Sequence, residues 1–398
     1  MSSASKLKVA LVVLSDKEHG GAYGAECGVI DALSSRVAHK FEYLIFAPER
    51  LVAETKRRFP NLDVCSYRFG LLTMFFMSIR STLAGFRILN ALGLRHGKFE
   101  RSLIRNRVLF AYFLSPNPLA LDLVDIPMMN TVWDLGHRTV PEFPEISGSR
   151  HFEEREFFFQ KVLPKSVRVI VDTRSTAEKI HSLFGVDQKR ITVGGLYPID
   201  SLPNREDATD QTPYLLYPAQ FWPHKRHVLL LEAFRRVLTI NPKVRLVLTG
   251  SDKGNLRHII DVARDLGIQH AVEFRGFVKA TELAALMSGA KCVVFPSQLG
   301  PSNLPPLEAA MLGTPSLISN VHDDPALNHP LIRIVEEQSP ECWAMEINRL
   351  LTEPSVKVSS ISTPQSQLDV VLEAAMEEFF EIRKEWSTES GRLFRRIN

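Results

Sequence analysis

Four side chains stand where their type and surroundings suit chemistry: Lys225, Glu308, Asp134 and His137. Lys225 ends the run Phe221-Trp222-Pro223-His224-Lys225, just after the apolar stretch Tyr214 to Pro218. A lysine there offers a compact charge and three donors to a phosphate group. Glu308 lies about one turn into a helix opened by Pro305 and Pro306, where a missing N–H costs little. The turn-rich Gly300-Pro301-Ser302-Asn303-Leu304 feeds that helix, and its free N–H groups favour an anion. A carboxylate at Glu308 can accept hydrogen bonds from the hydroxyl pair of a ribose. Asp134 and His137 follow the apolar run Pro127 to Trp133. An imidazole there can order a hydroxyl, and the carboxylate can orient it or take its proton. Gly20 and Gly21 follow another apolar run, and glycine lets backbone approach a ligand closely. Each has a plainer alternative: a helix-start lysine, a surface Glu on a capped helix, an Asp turn with a surface His, and a tight turn.

These residues share one kind of position, the carboxyl end of a strand. Leu7 to Leu14, Glu42 to Phe46, Asp63 to Cys65, Arg107 to Leu114, Pro127 to Trp133, Arg168 to Val171 and Ile191 to Val193 read as buried parallel strands. Helices alternate with them, among them Tyr23 to Arg36, Phe152 to Val162 and Ser175 to Phe184. The alternation restarts at Tyr214 to Pro218 and continues through Val244 to Thr249, Val272 to Phe274, Lys291 to Phe295, Ser316 to Ile318 and Ile332 to Val335. Thr281 is expected to cap a helix reaching Ser288, and Ser339 one reaching Leu351. Gly313 and Pro315 end the helix that carries Glu308. Pro198 to Pro213 is polar and without period, and reads as the linker between two halves. Two doubly wound α/β halves result, with ligands expected outside the carboxyl ends of the strands.

Leu71 to Arg95 reads as one long helix with Arg80, Arg87 and Arg95 along it. The preferred reading packs it on the sheet with a solvated basic face. The alternative rests it on anionic lipid as a peripheral contact with the inner membrane.

Composition excludes several classes. The 398 residues carry 48 Lys and Arg against 45 Asp and Glu, and a net charge of +3 does not argue for nucleic acid. The 4 cysteines are scattered, which fits a reducing cytoplasm and supplies no metal motif. No apolar run of about 18 residues is present to span a bilayer. His322-Asp323-Asp324 reads as a turn and not as a metal site.

The stretch from Phe295 to Pro315 resembles the C-terminal signature of retaining glycosyltransferases of the GT-B type, the GT4-like or group 1 family. Its pattern is Glu-Gly-Phe-Gly-Leu-Pro-x-Leu-Glu-Ala followed by Gly-x-Pro. Glu308 matches the second Glu, and Gly300 stands where the first would be. The family's Gly-Arg-Leu with a Lys five residues after the Arg is met by Lys225, with Ala219 and Gln220 at the Gly and Arg positions. Asp134, His137, Pro141 and Glu142 match a His-Asp-Leu-x-His-x-x-x-Pro-Glu segment, with Trp133 at the first His.

The resemblance implies a GT-B fold of two Rossmann-like domains facing a cleft. Residues 1–200 would be the acceptor side, 201–365 the donor side, and 366–398 a helix crossing back. It implies a cytoplasmic enzyme that moves a hexose, with mannose as the suggested sugar, from a nucleotide-diphosphate sugar to a glycan or lipid-linked acceptor with retention, in bacterial surface polysaccharide synthesis. No metal or other cofactor is implied. Donor contacts would come from Gly20, Gly21, Gln220, Lys225, Gly276, Phe277, Gly300, Pro301, Ser302, Asn303, Leu304 and Glu308, with Asp134 and His137 catalytic. A non-hydrolysing sugar-nucleotide epimerase and an inactive nucleotide-binding module are the alternatives.

Overall fold

The computed structural model describes residues 7–15, 21–36, 41–194, 213–300, 304–321, 327–353 and 368–387. Seven strands form the first sheet: β1 (Leu7–Val12), β2 (Phe41–Pro48), β3 (Asp63–Tyr67), β4 (Phe110–Phe113), β5 (Met128–Val132), β6 (Arg168–Val171) and β7 (Ile191–Val193). Six form the second: β8 (Tyr214–Pro218), β9 (Arg245–Thr249), β10 (Val272–Gly276), β11 (Cys292–Phe295), β12 (Ser316–Ser319) and β13 (Ile332–Val335). The orders are β3-β2-β1-β4-β5-β6-β7 and β10-β9-β8-β11-β12-β13, with every ladder parallel. In each sheet the winding reverses next to the first strand, between β1 and β4 and between β8 and β11. That reversal opens a crevice at the carboxyl ends, where ligands bind in such sheets.

The central strands are apolar on both faces because helices cover both. β4, β5, β8 and β11 are buried throughout, and separate clusters pack the two faces of each sheet. The helix Leu368–Ser387 follows the second sheet in sequence yet packs on the first. Leu372, Ala375, Met376 and Phe380 join a cluster with Leu33, Phe41 and Phe110. The expected linker falls largely on residues 195–212, outside the described residues, as does His322-Asp323-Asp324.

Two expected elements differ. The single helix from Leu71 to Arg95 is two helices, Leu71–Arg80 and Leu83–Ala91, bent by 109°. Thr82 caps the second by accepting from the Gly85 N–H at 3.1 Å. Gly85 sits so close beneath the first that a Cβ there would lie 2.2 Å from the Ile79 carbonyl oxygen. Arg80 also leaves the expected solvated face: it turns inward onto Asp122. The second difference is Thr281. The helix Ala280–Gly289 begins two residues earlier than a Thr281 cap would set it, with Lys279 at its N-cap and no side-chain cap.

Candidate functional site

The loop leaving β8 is pinned from below. Gly250, at φ 145°, lies so near it that a Cβ would come within 2.2 Å of the Ala219 carbonyl oxygen. Gln220 accepts the Trp222 indole N–H at 3.0 Å. A single 3-10 turn, Pro223–Lys225, then stops at Arg226 in the left-handed region. Tyr217 on β8 donates its hydroxyl to the Lys225 carbonyl at 2.7 Å, which fixes the lysine backbone over the strand end.

From there the Lys225 side chain crosses to the loop after β11. Its Nζ donates to Ser297 Oγ at 3.1 Å and to the Leu299 carbonyl at 3.3 Å, and lies 5.2 Å from the centre of the Phe295 ring. Burial pushes the ammonium down to about 8, and Asp134 opposes that shift. Two of its three donors are thus engaged by the β11 loop.

Gly300, at φ 117°, ends that loop, and the helix Leu304–Met311 follows. As expected, the helix closes at Gly313, whose N–H bonds the Ala310 carbonyl. The half-buried Glu308 carboxylate has no hydrogen-bond partner among the described residues. Burial raises its pKa to about 7. Gly276, at φ 63°, receives the Gly250 N–H on its carbonyl at 2.7 Å, and Phe277 beside it is exposed. Arg275 is taken up by Glu273 at 2.6 Å. Gly21 opens the helix Gly21–Arg36 with free space where a Cβ would be. Gly20, Pro301, Ser302 and Asn303 lie outside the described residues.

On the first sheet, Asp134 follows β5. Its Oδ1 accepts from the Gly136 N–H at 2.7 Å and from Arg155 at 2.6 Å. Burial works to raise this carboxyl, but Arg155 and the Gly136 N–H together hold it below the usual range.

His137 does not join Asp134 at the cleft. The short helix Gly136–Thr139 turns its ring inward, where it is fully buried. The ring stacks on Phe159 at 5.4 Å, with Phe152 and Phe184 nearby, and its Nε2 lies 3.3 Å from Glu156. Burial drives its pKa down to about 4, so the imidazole is neutral near pH 7. Without solvent-accessible surface it cannot touch a substrate in this arrangement.

Trp133, next to Asp134, donates its indole N–H to Ser115 at 3.1 Å. Ser115 in turn donates to the buried Glu26, which also accepts the N–H groups of Leu14 and Ser15 at 3.1 Å. Sequence reasoning missed Glu26. Its only signal is a carboxylate inside the helix after the first strand, among apolar and small residues.

The two units meet through a contact also missed in the sequence. Glu145, on the helix Pro144–Ser147, accepts with one oxygen both the His224 backbone N–H at 2.9 Å and its Nδ1–H at 2.7 Å. Both side chains are largely buried, and burial lowers His224 to about 4, leaving a neutral ring. Close by, a Cβ on Gly136 would lie 2.7 Å from the Leu299 side chain of the second unit. The bridge thus adjoins Lys225 in sequence, and the Gly136 contact adjoins Gly300. Replacing Glu145 with alanine strands two donors and is expected to cost about 1–3 kcal/mol. Small-angle scattering should show a larger radius of gyration for that variant; an unchanged radius would mean the bridge does not hold the units together.

The Lys225 ammonium suits an anionic group, and the Glu308 carboxylate, without a hydrogen-bond partner among the described residues, suits hydroxyl donors. Among the described residues no three His, Cys, Asp or Glu side chains gather as a metal site.

Residues 199–362 match the family model described as glycosyl transferases group 1. An uncharacterized glycosyltransferase of Methanocaldococcus jannaschii is 27% identical over 48% of this chain and 52% of its own length. A D-inositol 3-phosphate glycosyltransferase of Gordonia bronchialis is 30% identical over 41% of this chain and 39% of its own. The chain thus spans about half the length, or less, of these curated relatives. Among solved structures, Anabaena HepE in complex with UDP and glucose aligns with a TM-score of 0.62 at 14% identity, covering 95% of this chain and 100% of that one. This likeness establishes the two-sheet GT-B fold.

Proposed function

We propose that this chain, whose residues 199–362 match the model of the group 1 glycosyl transferases, is a member of that family and moves a hexose from a nucleotide-diphosphate sugar to a glycan or lipid-linked acceptor. The observation that carries the proposal is the Lys225 ammonium, held between Phe295 and the loop after β11. A leaving nucleoside diphosphate develops charge there. The ammonium and the Leu304 N–H stabilise it, with the helix dipole adding to both. Glu308 receives the ribose hydroxyls, and Gly276 and Phe277 flank the base. Gln220 supplies a hydrogen bond without charge. Asp134, across the cleft, serves the sugar and acceptor side, while His137 supports the Asp134 turn from the core.

Transfer with retention, a mannosyl donor and a place in bacterial surface polysaccharide assembly complete the reading. No metal is required in it, and a lipid-linked acceptor sets the enzyme at the cytoplasmic face of the membrane. The Anabaena protein with UDP and glucose supports a nucleotide-sugar donor on this fold.

A second reading, a module that binds nucleotide without turnover, is favoured by the uncharged Gln220 and by Gly300 in place of a carboxylate. The deciding experiment begins with a thermal-shift screen of nucleoside diphosphates, because a bound ligand raises the melting temperature by mass action. Release of nucleoside diphosphate is then followed with the matching sugar donors. In Glu308→Ala, kcat/KM for the donor is expected to fall about tenfold or more, from loss of charge-assisted hydrogen bonds. Nucleotide binding without release, whatever the acceptor, would favour the second reading.

A further inference from the structure

The helices Leu71–Arg80 and Leu83–Ala91 expose apolar side chains on a scale unlike the rest of the described surface. Leu71 is 85% exposed, Leu72 67%, Phe75 59%, Leu83 68%, Ile88 60% and Leu92, just past the second helix, 66%. Contiguous exposed apolar surface of this kind marks an interaction site. The helices are nevertheless firmly placed. Met77 and Leu89 are buried beneath them, and Arg80 anchors the first to Asp122. What faces outward is therefore fixed by packing.

The charge carried along this stretch of the chain has one sign. Between Asp63 and Glu100 the sequence contains no Asp or Glu. Arg87 is exposed on the second helix, and Lys98 and Arg105 are exposed on the next helix, Lys98–Arg105. None of the three forms an ion pair among the described residues. That third helix and Leu71–Arg80 both pack on the turn Pro118–Asp122, which keeps the basic residues at the same end of the sheet.

We propose that this helical pair is a docking surface for an anionic lipid bilayer. The apolar side chains enter the interface, and Arg87, Lys98 and Arg105 meet headgroup phosphates. Neither helix alone is long enough to span a membrane: 10 and 9 residues reach only about 15 Å, against about 30 Å of hydrocarbon, and the 109° bend keeps the two from lying end to end as one straight helix. An in-plane contact fits their length. A second copy of the chain fits less well, because a twofold contact would bring two like-charged basic rims together. The pair follows β3, and the parallel order puts the carboxyl end of β3 on the same side as that of β5, which leads to Asp134. Docking would thus bring the crevice side of the first sheet toward the lipid. The proposal goes beyond the transfer reaction and stands on exposure and charge, so it can fail or hold whatever the catalytic outcome.

The test is flotation of the full chain with vesicles of phosphatidylcholine alone and with phosphatidylglycerol added. Binding is expected to favour the anionic vesicles and to weaken as salt is raised. The triple variant Leu72→Gln/Phe75→Ser/Ile88→Gln should bind them at least about tenfold more weakly, since each side chain contributes buried apolar surface. Its melting temperature should match the parent, because all three sites are exposed. Arg87→Gln should reduce the anionic preference and leave binding to neutral vesicles unchanged. Equal binding of the triple variant and the parent would overturn the proposal. So would the absence of vesicle binding by the parent, including the case where it is a dimer that the triple variant dissociates.

Discussion

Replacing Lys225 with alanine is expected to lower kcat/KM for the sugar donor about tenfold at least, and more if the lysine acts mainly on the departing diphosphate. Removing a single donor to a developing oxyanion has cost other enzymes about a hundredfold to a thousandfold. Here the ammonium already bonds Ser297 and the Leu299 carbonyl, so its position is set before a ligand arrives. Its pH dependence gives a second handle. Burial holds Lys225 at about 8 and Glu308 at about 7. The ammonium is charged below its pKa, so donor capture should decline as pH rises through about 8. The carboxylate forms above its pKa, so capture should improve as pH rises through about 7. In the free enzyme, kcat/KM should therefore be bell-shaped with a narrow top. Lys225→Arg keeps its charge across the range and should lose the alkaline limb. An alkaline limb that persists in that variant, or near-parental turnover by Lys225→Ala, would remove the lysine from the site.

The largest loss of stability is expected from Arg80→Leu. Arg80 and Asp122 form a pair at 2.5 Å with side-chain exposures of 6% and 0%, and Arg80 also bonds the Leu94 carbonyl at 3.3 Å. Burial raises the Asp122 carboxyl despite the arginine, and Glu100 adds to the same shift. Removing one partner of such a pair leaves an uncompensated charge and costs about 3–5 kcal/mol. Without Arg80 the Asp122 pKa should rise further. A carboxyl whose folded pKa lies above its unfolded value favours the folded state when protonated. The deficit should therefore be smallest in acid and grow as pH rises through the folded pKa. Urea denaturation across pH would show this. Adding Asp122→Asn should recover much of the loss, since asparagine keeps the shape, and Gly97 leaves no room for a larger side chain. A constant deficit at every pH would mean that lost packing, and not the stranded charge, is responsible.

The central strands were legible because each is a short, two-faced apolar run, which only a sheet covered on both sides requires. The placing of Lys225 and Glu308 beyond β8 and β11 was legible because each follows its strand closely in sequence, whereas the reach of Lys225 to Ser297, 72 positions away, was not. His137 was misplaced for the converse reason. Its distance from the strand is visible, but the direction of its ring depends on a four-residue helix and on Phe159, twenty-two positions away. Glu145 and His224 are 79 positions apart and obey no period, so nothing local announces their contact. The break at Ser81-Thr82 had left a sign, a capping residue followed three positions later by glycine, but the apolar spacing on either side outweighed it.

The helix Leu368–Ser387 has a consequence for the order in which the molecule can be completed. Phe41 and Phe110, near the start of the chain, pack against Phe380 and Phe379, near its end. During synthesis the first sheet emerges long before these partners do, and for that interval one of its apolar faces lacks part of its cover. The unit made first is thus finished last, and until then it is the part most in need of protection from association with other chains.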